Sequence, residues 1–221
     1  MKIATWNIER PKKTSKKNSM IIDCLQKLDA DILILTETNE IIQPAGNYKC
    51  FHTTELKESF YKEGERRTSI YSKYESVGQF DTFRDDTSLC ISLRTPFGDL
   101  AVYGTVIGIN GNRRHNFNED LNHQLADFEK IAANANFCIA GDLNMTFSDN
   151  YYYTDDGRKK LNNVFARLNL VNLTADIPEN IDHIIISEDF IKNRHFEFDF
   201  WNKEKNKGKL SDHIGVFVTI T

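Results

Sequence analysis

The segment Phe137-Cys138-Ile139-Ala140, running into Gly141-Asp142-Leu143-Asn144, constrains the fold more than any other part of this chain. A short apolar run rich in β-formers reads as a buried strand. A glycine behind it is expected to end the strand and let the backbone turn. If the chain stays extended there, Asp142 and Asn144 project to the same side. An acid in that place can activate water or hold a metal, and an amide can donate hydrogen bonds to a phosphate. The same residues also fit an ordinary Asx turn.

The 221 residues suffice for one sizeable core and are too few for two comfortable ones, so 1–221 is expected to be a single domain. A net charge of -4 excludes a strongly basic nucleic-acid coat protein. It leaves a nucleic-acid enzyme open, because a metal ion and a local basic rim can supply the positive field. The cysteines (Cys24, Cys50, Cys90, Cys138) form no C-x-x-C pair and read as free thiols. Neither a signal-peptide core nor an apolar stretch of ~18 residues is present, so the expected setting is the cytoplasm, without a membrane partner. A monomer is expected.

Apolar residues at helical spacing (Met20, Ile21, Cys24, Leu25, Leu28) predict a helix over 19–28. The same reasoning gives a long helix over about 117–133 and another over about 158–168. Strands are expected at 3–8, 31–36, 48–53, 67–73, 76–83, 87–95, 100–107, 137–140, 181–187, 195–201 and 213–220. Pro96-Phe97-Gly98-Asp99 marks a hairpin turn. Many strands with a few helices argue for a mixed α/β architecture, two sheets face to face with helices outside.

Several of these runs end or begin in polar residues that chemistry can use. Asn7 and Glu9 close the first, and Glu37 closes the second. Asp182 opens the strand Ile184-Ile185-Ile186, and Asp212-His213 opens the last. Each alone is a plausible turn or surface residue. Together, gathered at one sheet rim where loops converge, they form an oxygen-rich set with one imidazole. Such a set suits Mg²⁺ or Mn²⁺ held partly by water and substrate phosphate. A histidine beside acids suits proton transfer or charge stabilisation.

The motifs Thr5-Trp6-Asn7-Ile8-Glu9, Leu35-Thr36-Glu37-Thr38, Val102-Tyr103-Gly104-Thr105, Ala140-Gly141-Asp142-Leu143-Asn144, Ile181-Asp182-His183-Ile184 and Ser211-Asp212-His213 follow in that order. This resembles the endonuclease/exonuclease/phosphatase superfamily, which includes exonuclease III-type abasic-site endonucleases, pancreatic-type deoxyribonuclease, sphingomyelinases and inositol-polyphosphate phosphatases. The resemblance covers residues 3 to 213 and implies a four-layered α/β sandwich with the site at one rim. It makes Glu37 the principal metal ligand, with Asn7 beside it and Glu9 and Asp212 in support. Asp142 would align or deprotonate the attacking water, and Asn144 would hold the phosphate. His213 would stabilise developing charge, with Asp182 fixing its tautomer and keeping it cationic. Tyr103 falls where the abasic endonucleases carry a phosphate-contacting tyrosine.

Two departures weaken an abasic-site specificity. Gly104-Thr105-Val106 follows Tyr103 in place of a Pro-Asn pair, and Pro178-Glu179-Asn180 precedes the Asp182 motif in place of an aromatic-Arg approach. Basic residues still fall on loops near the expected rim: Lys12, Lys13, Lys16, Lys17, Arg113, Arg114, Lys203, Lys205, Lys207 and Lys209. Of these, Arg113, Arg114 and Lys209 are the expected substrate contacts, tracking a nucleic-acid backbone. Tyr151, Tyr152 and Tyr153 fit base stacking or simple loop packing. The expectation is a metal-dependent phosphodiester hydrolase, foremost a nuclease acting on DNA or RNA. The alternatives are a phosphoesterase for a small molecule or lipid headgroup, and a non-catalytic binding module.

Overall fold

The computed structural model describes residues 1–56, 61–108, 115–203 and 209–221, with 115 and 116 described by backbone alone. Two mixed six-stranded sheets pack face to face. The first contains β1 (Lys2–Asn7), β2 (Ile32–Asn39), β3 (Lys49–His52), β4 (Glu65–Ser72), β11 (Phe196–Trp201) and β12 (Gly215–Ile220), in the order β11-β12-β1-β2-β4-β3. The second contains β5 (Glu75–Phe80), β6 (Leu89–Thr95), β7 (Gly98–Val106), β8 (Phe137–Asp142), β9 (Leu170–Asn172) and β10 (Asp182–Ser187), in the order β5-β6-β7-β8-β10-β9. Each sheet has one parallel pair at its middle, β1 with β2 and β7 with β8. Parallel neighbours need a crossover, and helices supply it: α1 (Lys17–Leu28) joins the first pair and α2 (His115–Ala132) the second. Helices α3 (Asp155–Arg167) and α4 (Glu188–Ile191) complete the chain.

The four-layer arrangement explains why the central strands read as unbroken apolar runs. Side chains alternate across a strand, and here both faces are covered. In β2, Ile32 and Ile34 join the core between the sheets, while Leu33 and Leu35 pack under α1 with Ile21 and Leu25. In β8, Cys138 and Ala140 face between the sheets, and Phe137 and Ile139 face α2 and α3 with Leu121, Phe128, Leu161 and Phe165.

The structure departs from the sequence expectation in five places. Gly141 does not end its strand; β8 runs on to Asp142 with Gly141 at φ 141. A Cβ there would sit 2.0 Å from the Thr105 carbonyl oxygen of β7, so the glycine permits close pairing of the two parallel strands. Strand β9 and helix α4 have three and four residues, too few to show periodicity. Helix α3 begins earlier than its apolar pattern, because Thr154 caps it by accepting from the Gly157 N–H at 3.1 Å and Asp155 and Asp156 occupy the first turn. His213 lies before β12 rather than within it.

Candidate active site

The register of β10 against β8 creates the central electrostatic problem of the molecule. Asp182 lies directly opposite Asp142 across this antiparallel pair. Both are buried, at 0% and 2% exposure. Like charges directly opposite destabilise a sheet, and burial leaves little water to screen them. The charge that answers them is His213. Its Nδ1 lies 2.6 Å from Asp182 Oδ2, and its Nε2 lies 4.0 Å from Asp142 Oδ2. Burial works against a cation at His213, but the facing Asp182 and Asp142 carboxylates outweigh it and raise the imidazole pKa. Burial likewise pushes Asp142 up, opposed chiefly by the His213 charge.

The Asp142 carboxylate is held on both oxygens. Oδ1 accepts from the Asn144 backbone N–H at 2.9 Å, and Oδ2 accepts from Asn7 Nδ2 at 3.0 Å. The first contact is an Asx turn, so the plain structural reading of this segment and the chemical one describe the same atoms. Asn144 does not point alongside Asp142 on an extended strand. It sits at φ 50, and its Nδ2 donates to the Ile107 carbonyl at 2.8 Å.

His213 is fixed through its backbone. Ser211 Oγ donates to the Asn7 carbonyl at 2.6 Å and accepts from the His213 N–H at 3.1 Å. The His213 carbonyl accepts from Trp6 Nε1 at 3.2 Å and Asn202 Nδ2 at 2.6 Å. Ser211, Trp6 and Asn202 were not singled out as site residues from sequence. Trp6 and Ser211 stand inside the motifs that carry Asn7 and His213, whereas Asn202 carries no sequence signal.

Asn7 and Glu37 come from neighbouring parallel strands, Asn7 pairing with Thr36. Glu37 has φ 43, and its carboxylate lies 3.4 Å from Arg10 Nε. Glu9 Oε2 accepts from the Asp212 N–H at 3.3 Å, which brings these two acids to one edge. Asp212 Oδ1 is 3.7 Å from His213 Nε2. Among the described residues, nine non-glycine residues have positive φ, and Glu9, Arg10, Glu37 and Asn144 are four of them. Such strain gathers where surrounding structure over-determines the backbone for a use.

Tyr103 is elsewhere. It is fully buried on the helix-facing side of β7, edge-on to Phe128 at 5.1 Å, with its hydroxyl bonded to Ser88 Oγ and Asp127 Oδ2 at 2.9 and 2.8 Å. Strand alternation decides this: Val102 and Gly104 take the inter-sheet face, so Tyr103 must take the other. It reaches no group of the cleft, and the expectation of a phosphate-contacting tyrosine is corrected accordingly. Arg113 and Arg114, with Lys205 and Lys207, lie outside the described residues.

A cleft of about 480 Å³ opens over His213. Asn144, Asp182 and Asp212 line it, together with Tyr151, Tyr152, Lys203 and Lys209. The Lys209 ammonium donates to the Asp212 carbonyl at 2.8 Å. Tyr153 turns away from the cleft, packing on the helix-side core with Arg158 over its ring at 4.0 Å. Among the described residues, ligand atoms of Asp142, Asp182 and His213 come within 4.8 Å of one another, a possible acid/imidazole metal cluster. No helix of the described residues is long and apolar enough to cross a membrane.

A second histidine behaves oppositely. His183 is wholly buried between Thr174, Asn180 and the Met145 carbonyl, which its Nε2 meets at 2.9 Å. Burial pushes its pKa down to about 4. The unfolded chain would take up this proton near pH ~6.5, so the native state loses stability as pH falls from there toward 4. The full effect is about 3 kcal/mol. His213 has the opposite sign: its contribution is complete below pH ~6.5 and fades as pH rises above it. Urea unfolding between pH 7 and 4 should show His183→Gln losing less stability on acidification than the wild type. Parallel curves would contradict a neutral His183.

Solved structures provide the comparison. The endonuclease domain of TRAS1, a telomere-specific non-LTR retrotransposon, superposes with a TM-score of 0.69 at 14% identity, covering 99% of this chain and 97% of that one. Humanized TDP2 of D. rerio gives 0.68 at 15% identity, with 100% and 98% covered. An AP endonuclease from Archaeoglobus fulgidus gives 0.67 at 15%, with 99% and 98% covered. At these identities the likeness is one of fold, and it matches the two mixed six-stranded sheets with flanking helices. A search of curated proteins finds no match. The sequence itself matches the endonuclease/exonuclease/phosphatase family over residues 4–213, from β1 to His213. The chain belongs to the endonuclease/exonuclease/phosphatase family, whose members are hydrolases of phosphoester bonds.

Proposed function

We propose that this protein is a divalent-metal-dependent phosphodiesterase that cleaves nucleic acid by attack of water on phosphorus. The carrying observation is the buried Asp142/Asp182 pair with His213 between them, lining the cleft. An anion-binding imidazolium beside a carboxylate held on both oxygens is suited to a reaction in which water loses a proton while phosphate gains negative charge.

In this reading Asp142, held by Asn7 and the Asn144 N–H, orients the water and takes its proton as the new P–O bond forms. His213, kept cationic by Asp182, stabilises the charge that builds on the phosphoryl oxygens. Asn144 has one Nδ2 hydrogen committed to Ile107, which leaves its second hydrogen and Oδ1 for the phosphate. The P–O bond to the leaving oxygen breaks, and that oxygen departs with a proton from solvent.

The donor set fits a hard cation. Glu37 and Asn7 offer oxygens on adjacent strands, with Glu9 and Asp212 at the same edge. Asp182 and His213 Nδ1 are already bonded to each other, which favours the oxygen donors as the ion's ligands. Mg²⁺ or Mn²⁺ bound there would neutralise phosphate charge and polarise the ester. Glu37→Ala should therefore raise the Mg²⁺ concentration needed for half-maximal rate by an order of magnitude or more. An unchanged Mg²⁺ requirement would remove Glu37 as principal ligand.

Nucleic acid is favoured as substrate by the walls of the cleft. Lys203 and Lys209 offer charge to a phosphate backbone, and Tyr151, at 64% exposure, offers a face on which a base can stack. The experiment is a panel of single- and double-stranded DNA and RNA oligonucleotides, with soluble phosphomonoesters and diesters, in Mg²⁺ and in EDTA. Oligonucleotide cleavage confined to the Mg²⁺ arm is expected. Turnover of small phosphoesters with every oligonucleotide intact would redirect the assignment to a small-molecule phosphoesterase. No turnover of any ester would support a binding module.

A further inference from the structure

We infer that Asp120 and Gln124, on the inner face of α2, are positioning residues: through the Ile107–Gly108 peptide they set the orientation of the Asn144 carboxamide in the cleft. The inference rests on the reading of Asn144 as a phosphate-handling group.

The connection runs through one peptide unit. Its carbonyl, on Ile107, accepts from Asn144 Nδ2 at 2.8 Å. Its N–H, on Gly108, donates to Asp120 Oδ2 at 2.6 Å. A peptide is planar, so the group that fixes the N–H also fixes the direction of the carbonyl. Asp120 therefore aims the acceptor that holds Asn144. The preceding residue boundary is pinned as well, because the Ile107 N–H donates to the Asp142 carbonyl at 2.9 Å.

Gln124 supports this from one turn along the helix. It is 2% exposed, and both ends of its amide are used. Oε1 accepts from Thr105 Oγ1 at 2.7 Å, while Nε2 donates to the Val106 carbonyl and to Asp120 Oδ1, each at 3.2 Å. The end of β7 is thus gripped by α2 on one side and by Asp142 and Asn144 on the other. Gly108, at φ 74, allows the peptide this orientation, and a Cβ there would meet the Phe117 ring at 2.3 Å. A half-buried carboxylate and a buried carboxamide, bonded to each other and to the end of β7, resist rearrangement, since a broken network strands polar groups away from water.

The test combines Asp120→Ala and Gln124→Met with Asn144→Ala. The side-chain NH₂ resonances of Asn144, identified by their loss in Asn144→Ala, should be shifted and slowly exchanging in the wild type. In Asp120→Ala they should move toward the positions of exposed asparagine amides. On a small phosphodiester, kcat should fall roughly tenfold to thirtyfold with KM within about twofold. The Asp120→Ala/Asn144→Ala double variant should be no slower than Asn144→Ala alone, because both changes remove one function. Unmoved Asn144 resonances in both α2 variants, or losses that multiply in the double variant, would overturn the inference. If the wild type turned over no phosphoester, the proposed function would fall, and the resonances alone would still decide whether α2 positions Asn144.

Discussion

His213→Ala should lower turnover about a thousandfold at saturating metal, while leaving the protein folded. The loss follows from position: His213 lines the cleft and faces both buried acids. Removing it has a second consequence that separates this explanation from simple loss of packing. Asp142 and Asp182 would then oppose each other across the strands with no positive charge between them. One of them must hold a proton for the sheet to stay closed. The variant should accordingly be more stable at pH 5 than at pH 8, as one of the two carboxyls takes up a proton in place of the lost positive charge. Thermal unfolding at the two values measures this. A His213→Ala protein with wild-type turnover, or one no more stable at pH 5 than at pH 8, would contradict the electrostatic account.

Gly141→Ala should be the most damaging small substitution in the molecule. The methyl group would enter 2.0 Å from the Thr105 carbonyl oxygen, and the backbone at φ 141 is one that side chains other than glycine rarely adopt. Backbone cannot give way as a flexible side chain does, so β7 and β8 must separate where they carry the site. A cost of about 4 kcal/mol or more is expected, which in a chain of this size lowers Tm by roughly 10 °C or more. Gly98→Ala is the control. Gly98 also has positive φ, at 113, but a Cβ there meets nothing within 4 Å. Strain alone should cost it about 1 kcal/mol. If Gly141→Ala and Gly98→Ala unfolded at similar temperatures, close strand approach would not be the reason for Gly141.

The contrast between these glycines shows what could be read from the sequence. Gly141 marked the right place but for the wrong cause. A glycine after an apolar run looks like a stop, yet here it keeps the strand going by admitting a neighbour. Asn7, Asp142, Asn144, Asp182 and His213 draw notice because polar residues at the ends of buried strands have few structural uses, and the structure brings them together: Asn7 and the Asn144 N–H on Asp142, His213 on Asp182, and His213 Nε2 4.0 Å from Asp142. Tyr103 lies outside the site because a motif gives a position along a strand, whereas the alternation of β7 decides which face a side chain takes. Asp120 and Gln124 were invisible for the converse reason. They are ordinary polar residues on a helix, and only the folded path of the 105–108 segment gives them partners. The opposition of Asp142 and Asp182 was equally hidden, since strand register is a property of the assembled sheet and not of either motif.

The most direct test follows the water that Asp142 is proposed to activate. A 5′-labelled oligonucleotide, or a small phosphodiester if oligonucleotides resist cleavage, is hydrolysed in Mg²⁺ and ¹⁸O-enriched water under single-turnover conditions. Mass spectrometry then reads the phosphate product. The account predicts one solvent ¹⁸O on phosphorus with the wild type, and no product on the same timescale with Asp142→Ala. Product without ¹⁸O on phosphorus, or labelled product from Asp142→Ala at the wild-type rate, would contradict it.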